Sequence, residues 1–112
     1  MEERLRPLLD SRDAAVWVAE NEASVIGFVC CLLLPLVHRD VPTCRLATLV
    51  VTEQARSAGV GRTLVGQVET QARRWGCDRI EVTSGDDRPD AHRFYARESF
   101  RPKPHRFIKT LE

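Results

Sequence analysis

The sequence lacks an excess of either charge, since 17 basic residues stand against 16 acidic ones and the formal net charge is +1. A protein that binds nucleic acid or an anionic membrane through its overall field carries a clear basic excess. Here the arginines are scattered among acidic residues, a pattern typical of a solvated surface. We therefore expect neither a nucleic acid nor a membrane as a partner.

Metal-binding motifs and a disulfide framework are also missing. The sequence contains no C-x-x-C pair, and its histidines have no matching ligand spacing. Two of the cysteines are adjacent in an apolar run, where they are poorly placed to form disulfides. We expect reduced thiols, a cytoplasmic protein and no metal site. The residues concerned are Cys30, Cys31, Cys44, Cys77, His38, His92 and His105.

No apolar run is long enough to cross a bilayer. The longest, 25–34, is far shorter than the ~20 residues that a membrane helix needs. The first seven residues are too charged to form a signal peptide. A hydrophobic content of 43% and a charged content of 29% are ordinary for a soluble globular protein, and the length predicts one domain over residues 1–112.

The hydrophobic pattern predicts a mixed α/β protein. Residues 1–13 are predicted to form the frayed end of a helix and a turn. The order that follows, β-β-β-α-β-α-β, predicts a sheet that is parallel where the long helix crosses between two strands. The predicted elements are strands at 14–20, 25–34, 44–51 and 79–83, a long amphipathic helix at 62–75 that ends at Gly76, a short helix from Pro89, and a closing strand or hairpin within 100–111.

A loop rich in small residues stands between the third strand and the long helix. Residues 56–61 read Arg-Ser-Ala-Gly-Val-Gly. Small residues let a ligand approach the backbone closely, and the first turn of a helix offers unpaired N–H groups and a positive dipole end. Arg56 and Arg62 add positive charge. The loop therefore predicts a phosphate site at the start of the helix.

Other phosphate-binding motifs fit this loop less well. A Walker A loop needs a lysine where Arg62 stands and a glycine where Arg56 stands. A dinucleotide-binding fingerprint needs a third glycine, but the sequence has Leu64 there. A nucleotide-binding regulatory domain and a glycine-rich turn without a ligand stay as alternatives.

The loop resembles the acyl-CoA pyrophosphate loop of the GNAT acetyltransferases, because Arg56, Gly59 and Gly61 match the family signature R/Q-x-x-G-x-G/A. Residues 49–51 are similar to the strand of that family that pairs with the pantetheine arm. Residues 91–95 followed by Phe100 resemble the family segment A-x-x-F/L-Y, although Ser99 stands where a glycine is usual. The similarity runs from about Ala14 to the C-terminus, so the usual first strand and first helices are expected to be missing.

This resemblance implies a GNAT-like acyl-CoA N-acyltransferase fold that is short at its N-terminus. It implies an N-acetyltransferase that transfers an acetyl group from acetyl-CoA to a primary amine of a small molecule, peptide or protein. The alternative is a non-catalytic acyl-CoA-binding or sensor domain, and a homodimer formed through the tail at 101–111 is a further hypothesis. The residues that the resemblance assigns to cofactor binding are Leu49, Val50, Val51, Arg56, Ser57, Ala58, Gly59, Val60, Gly61, Arg62 and Thr63.

The resemblance also implies a mechanism in which the amine attacks the thioester directly. A backbone N–H near 49–51 would polarise the carbonyl. Tyr95 matches the family's general-acid tyrosine, and a phenol stays protonated at neutral pH and can donate. The alternative is packing in the core, because Tyr95 lies on the apolar stripe of its helix. The general base stays open between His38, Asp40 and Glu81.

Overall fold

The computed structural model describes residues 4–22, 24–35, 39–56, 58–82, 89–102 and 109–111. Its strands form one five-stranded sheet in the order β1-β2-β3-β4-β5. The strands are β1 (Arg4–Asp10), β2 (Ala14–Glu20), β3 (Val25–Leu34), β4 (Thr43–Val51) and β5 (Ile80–Val82); the helices are α1 (Val60–Arg74) and α2 (Pro89–Arg97).

The sheet is mixed, as the sequence predicted. The first four strands pair antiparallel in chain order, whereas β4 and β5 pair parallel. A parallel pair needs a crossover, and α1 supplies it. The helix lies over β2, β3 and β4.

The core lies between α1 and one face of the sheet. The predicted helical stripe is confirmed, because Leu64, Val65 and Val68 are fully buried and Trp75 packs against the core. Burying side chains of this size stabilises the fold by roughly 1.5–3 kcal/mol each. The sheet residues beneath the helix are Ala15, Ala19, Val29, Cys31, Cys44 and Leu46.

The prediction for the N-terminus was wrong, because residues 4–10 form a strand instead of a helix end. β1 is the edge strand, and all of its side chains except Leu5 are exposed, so the sequence shows no two-residue alternation. Pairing with β2 determines its conformation, helped by an ion pair of 3.0 Å between Arg6 Nε and Glu20 Oε1. The observed order of elements therefore begins with four strands, where the sequence predicted three.

The other boundaries agree closely with the sequence. β3 covers the predicted residues and ends at Leu34, and α1 begins two residues before the predicted start, at Val60. Most of the predicted closing strand lies outside the described residues. Among the described residues, no helix has the length and apolar character needed to cross a membrane.

All four cysteines are free thiols, as expected. Cys31 and Cys44 are fully buried under α1. A hydrogen bond between the two thiols raises the pKa of Cys31 and lowers the pKa of Cys44. Burial raises the pKa of Cys30 and Cys77, so these two thiols stay protonated at neutral pH.

Candidate active site

The loop between β4 and α1 is held firmly to the sheet. The Thr52 N–H donates to the Ile26 carbonyl at 2.9 Å, so the pairing of β3 with β4 continues beyond the end of β4. A 3₁₀ turn follows at Glu53–Ala55, and Ala55 is buried in the core. Arg56 Nε then donates to the Val51 carbonyl at 3.3 Å. The start of α1 is thereby fixed relative to β4.

Gly59 is the N-cap of α1 and has a left-handed backbone, with φ of 80°. A residue with a Cβ would pay roughly 1–2 kcal/mol in this conformation, which explains the glycine. As a glycine, Gly59 has no side chain to cap the helix, and the first turn of α1 contains no acidic residue. The first N–H groups of α1 therefore point away from the helix at the positive end of its dipole, which suits an anionic ligand.

The residues predicted to bind the cofactor surround this helix start. Arg56, Arg62 and Thr63 are exposed, and Leu49 and Val51 are half-buried. The Thr63 hydroxyl donates to the Gly59 carbonyl at 3.0 Å. Of the others, Val50, Ala58 and Gly59 are exposed, Gly61 is half-buried, Val60 is fully buried so that only its backbone can meet a ligand, and Ser57 lies outside the described residues.

The stretch of β4 that leads to this loop contains a bulge. Among the described residues, the last pair between β4 and β5 is Leu46 with Val82. Immediately after Leu46, the register of β4 against β3 shifts by one residue, so that Ala47 is an extra residue in a bulge. Within the described residues, 47–51 has no strand partner on its β5 side. Its backbone groups can therefore pair with an extended ligand.

α2 packs against the first turn of α1. The ring of Phe94 lies against Gly61. Tyr95 is half-buried and makes edge-to-face contacts with Phe94 and Phe100, with ring centroids 5.3 and 5.4 Å apart. Tyr95 is therefore held by two aromatic rings near the start of α1, an arrangement that fits both of the roles left open by the sequence.

The candidate bases are scattered. Asp40 is exposed in the connection that precedes β4, at the opposite end of that strand from the glycine loop, and His38 lies outside the described residues. Glu81 in β5 forms an ion pair with Arg45 in β4, with 3.7 Å between Nη2 and Oε2. Sequence reasoning missed Arg45, although a charged residue inside an otherwise apolar strand was a usable signal.

The other end of α1 carries an ion-pair network. Arg39 Nη2 donates to both carboxylate oxygens of Asp78 at 2.7 Å, and Nη1 donates to the buried Thr43 hydroxyl at 2.7 Å. The hydrogen bond from Arg39 holds the pKa of Asp78 below its ordinary value. A shallow cavity of about 210 Å³ lies here, at the helix end far from the glycine loop; its lining includes Ala72, Cys77 and Ile80.

Comparison with known proteins agrees with this geometry. Residues 1–100 match the model of the acetyltransferase (GNAT) family. The aminoalkylphosphonate N-acetyltransferase of Salmonella typhimurium is 30% identical over 94 residues, which cover 84% of this chain and 61% of that protein. The chain therefore spans less than two thirds of the length of this curated relative.

Solved structures share the fold. An acetyltransferase of Trypanosoma brucei is similar with a TM-score of 0.82 and 16% identity, covering 98% of this chain and 100% of that one. An aminoglycoside acetyltransferase from an uncultured soil metagenomic sample has a TM-score of 0.77 and 20% identity, covering 94% of this chain and 70% of that one.

The family match extends further than the sequence motifs indicated. It begins at residue 1, whereas the motifs placed the start of the similarity near Ala14. The difference is β1, which sequence reasoning did not recognise as a strand. With a family match over residues 1–100, the chain belongs to the acetyltransferase (GNAT) family.

Proposed function

We propose that this protein is an N-acetyltransferase that transfers the acetyl group of acetyl-CoA to a primary amine of a small molecule. The observation that carries the proposal is the position of the start of α1, with its N-cap Gly59, next to 47–51 of β4, which within the described residues has no strand partner on its β5 side. One feature suits a pyrophosphate and the other suits the amide-containing arm that follows it. We further propose that residues 1–112 act as a single domain in the cytoplasm.

The described residues at the start of α1 suit acetyl-CoA in charge. The first-turn N–H groups of α1, with Arg56 and Arg62, would hold the pyrophosphate. The backbone of 47–51, which within the described residues has no strand partner on its β5 side, would pair with the pantetheine arm as an added strand does. The absence of an acidic residue from the first turn of α1 removes the main source of repulsion.

The proposed chemistry is direct transfer. A neutral amine attacks the thioester carbonyl, the carbon–sulfur bond breaks, the new amide nitrogen loses a proton to water, and the departing thiolate takes a proton. Holding both substrates side by side can lower the barrier by about 7–11 kcal/mol. A backbone N–H within 47–51 stabilises the developing oxyanion, an effect of about 2.7–4 kcal/mol for one donor in other enzymes.

Tyr95 is the proposed proton donor to the thiolate. Its contacts with Phe94 and Phe100 hold the ring in one orientation near the start of α1. A positioned acid of this kind contributes about 10²–10⁴-fold in rate. Tyr95 then recovers its proton from water before the next turnover.

The names of the relatives support a small amine as the acceptor. The Salmonella relative is named for aminoalkylphosphonates, and one solved neighbour is named for aminoglycosides. Because this chain spans 61% of the Salmonella relative, the acceptor is part of the proposal. A peptide amine and a homodimer stay as further hypotheses.

Calorimetric titration with acetyl-CoA, CoA and ATP tests the cofactor. We expect both CoA ligands to bind more tightly than ATP. Arg62→Glu places a negative charge in the first turn of α1 and should weaken the binding of both CoA ligands at least about tenfold, since a like charge disfavours the pyrophosphate. Arg74→Glu makes the same charge change in the last turn of α1 and serves as the matched control.

The outcomes separate the competing functions. Equal effects of the two variants would mean that the start of α1 is not the pyrophosphate site. If acetyl-CoA binds tightly but no amine in a broad panel is acetylated, the protein is a non-catalytic acyl-CoA-binding domain and not an enzyme.

A further inference from the structure

Arg45 and Glu81 face each other across the parallel strands β4 and β5. Their neighbours Cys44 and Leu46 are buried under α1, so the alternation of a strand puts Arg45 on the opposite face of the sheet. Glu81 lies between Ile80 and Val82, both of which pack against the same core. The two charged side chains therefore meet on the face of the sheet that α1 does not cover.

This pair stands next to the bulge of β4. The last pair between β4 and β5 among the described residues is one position further along, at Leu46 and Val82. Ala47, the extra residue of the bulge, is about 7 Å along the strand from Arg45. An amine that reaches a thioester at 47–51 from the face of the sheet opposite α1 passes the two charged groups.

The hydrogen-bonding capacity of Arg45 is only partly used. Its Nε is buried and has no hydrogen-bond partner among the residues that the structure describes. The contact between Nη2 and Glu81 is 3.7 Å, longer than a hydrogen bond, and the two side chains are 37% and 44% exposed. An exposed ion pair of this kind adds little to stability, so stability does not account for placing an arginine in an apolar strand.

The surroundings of the pair combine both charges with polar and apolar groups. Leu32 lies opposite Arg45 on β3, and the exposed Thr48 follows the bulge on the same face. A guanidinium binds the oxygens of a phosphonate, phosphate or carboxylate through two parallel hydrogen bonds. A carboxylate beside it suits an ammonium group. The patch therefore complements a small molecule that carries both charges.

We infer that Arg45 and Glu81 form the acceptor subsite and select an amine that also carries an anionic group. This inference rests on the proposed function. Arg45 binds the anionic oxygens, and Glu81 receives the ammonium and accepts one of its protons. The neutral nitrogen then forms the bond to the acetyl carbon as the carbon–sulfur bond breaks, and the new amide nitrogen loses its second proton to water. The thiolate takes its proton from Tyr95, and Glu81 releases its proton to water.

Three amines with the same two-carbon spacing test the selection: 2-aminoethylphosphonate, β-alanine and ethylamine. We expect the wild-type protein to prefer the two anionic amines in kcat/KM. Arg45→Gln should lower kcat/KM for the anionic amines at least about tenfold, the size expected for one charge-assisted contact, and change that for ethylamine less than threefold. Arg45→Lys keeps the positive charge but loses the paired N–H donors of the guanidinium. Its kcat/KM for the anionic amines should lie between those of the wild type and Arg45→Gln.

Glu81→Gln gives a readout that a structural role would not produce. Loss of the proton acceptor should lower kcat/KM for all three amines near neutral pH, with recovery at alkaline pH, where the amine arrives neutral. The affinity for acetyl-CoA should be unchanged in every variant. Arg74→Gln, an exposed arginine at the far end of α1, is the control, and thermal unfolding shows whether each variant is folded.

Two results would overturn the inference. One is a wild-type kcat/KM that is no higher for the anionic amines than for ethylamine, and the other is an equal loss of kcat/KM for all three amines in Arg45→Gln. In either case, turnover itself leaves the acetyltransferase proposal standing. If acetyl-CoA binds but none of the amines is acetylated, the CoA-saturated protein is titrated with 2-aminoethylphosphonate. Binding that Arg45→Gln abolishes supports the subsite while the proposed activity fails, and the absence of binding overturns the subsite as well.

Discussion

The ring of Phe94 in α2 occupies the space that a side chain on Gly61 of α1 would need. A Cβ at Gly61 would come within 3.1 Å of two ring carbons, closer than such contacts normally are. Apart from its proposed role in cofactor binding, this glycine therefore lets α2 pack against the start of α1. The same contact fixes the neighbouring Tyr95 close to the proposed cofactor loop.

Gly61→Ala should therefore disturb the site although it adds only one methyl group. We expect it to push the Phe94 ring outward, at a cost of about 1–3 kcal/mol for overpacking, and to raise the Kd for acetyl-CoA severalfold. Gly66→Ala is the matched control, because a Cβ at Gly66 would have no atom within 4 Å. In that variant, the better helix propensity of alanine should raise stability by about 0.5–1 kcal/mol.

Urea denaturation and calorimetric titration of both variants check this expectation. A Gly61→Ala protein that gains as much stability as Gly66→Ala, with unchanged affinity for acetyl-CoA, would show that the helix–helix contact has no role in the site.

Tyr95→Phe separates the two roles that remain open for this residue. The ring contacts with Phe94 and Phe100 survive in the variant, so thermal stability should change little. If the hydroxyl donates the proton to the thiolate, kcat should fall by about a hundredfold or more while the Kd for acetyl-CoA stays the same. Steady-state kinetics and calorimetry measure the two quantities, and an unchanged kcat would assign Tyr95 to packing.

The ends of α1 and α2 provide a matched pair for a stability test. In both, the helix closes with a residue of left-handed backbone, Gly76 with φ of 78° and Ser99 with φ of 73°. The hydrogen bonds are also equivalent, since Cys77 N–H donates to Ala72 and Phe100 N–H donates to Tyr95, each at 2.9 Å. Such an end favours glycine, yet only α1 has one.

Ser99→Gly should therefore stabilise the protein by about 0.5–1 kcal/mol, and Gly76→Ser should destabilise it by about 1–2 kcal/mol. Thermal unfolding should show shifts of several degrees in opposite directions. Two shifts of the same sign would mean that backbone strain at these residues does not control the stability of the helix ends.

Sequence and structure agree where the determining interactions are local. The stripe of α1 and the terminating Gly76 follow from helical periodicity and from the backbone preference of glycine, and both were predicted. β1 was not predicted, because an edge strand with both faces exposed carries no alternating pattern. Only its pairing with β2, contributed by other residues, makes it a strand.

In the candidate site, too, local features were predicted and contacts between distant parts of the chain were not. The position of the glycine loop between a strand and a helix was predicted from local sequence features, and the structure has β4 before it and α1 after it. The meeting of Arg45 with Glu81 depends on the register between β4 and β5, and the contact of Gly61 with Phe94 depends on the docking of two helices. Neither register nor docking is encoded in a short motif, so these relationships could not be predicted.

The ion pair of Arg39 with Asp78 should make stability depend on pH. The hydrogen bond from Arg39, strengthened by the charge of that residue, holds the pKa of Asp78 below its ordinary value of 3.8. Because the folded-state pKa is lower than the unfolded-state pKa, the folded protein favours the ionised carboxylate. The resulting contribution is fully present above about pH 4–5 and is lost as the pH falls through the folded-state pKa.

Asp78→Asn removes this contribution and keeps the shape of the side chain. Urea denaturation between pH 3 and pH 7 should show a variant less stable than the wild type at neutral pH, with a difference that shrinks below about pH 4, where the wild-type carboxylate is protonated too. Asp10→Asn, at an exposed residue at the end of β1, is the control. Arg39→Met should destabilise the protein more than Asp78→Asn does, because it also removes the hydrogen bond from Arg39 to the buried Thr43 hydroxyl. Parallel stability curves for wild type and Asp78→Asn over the whole pH range would show that this ion pair does not link protonation to folding.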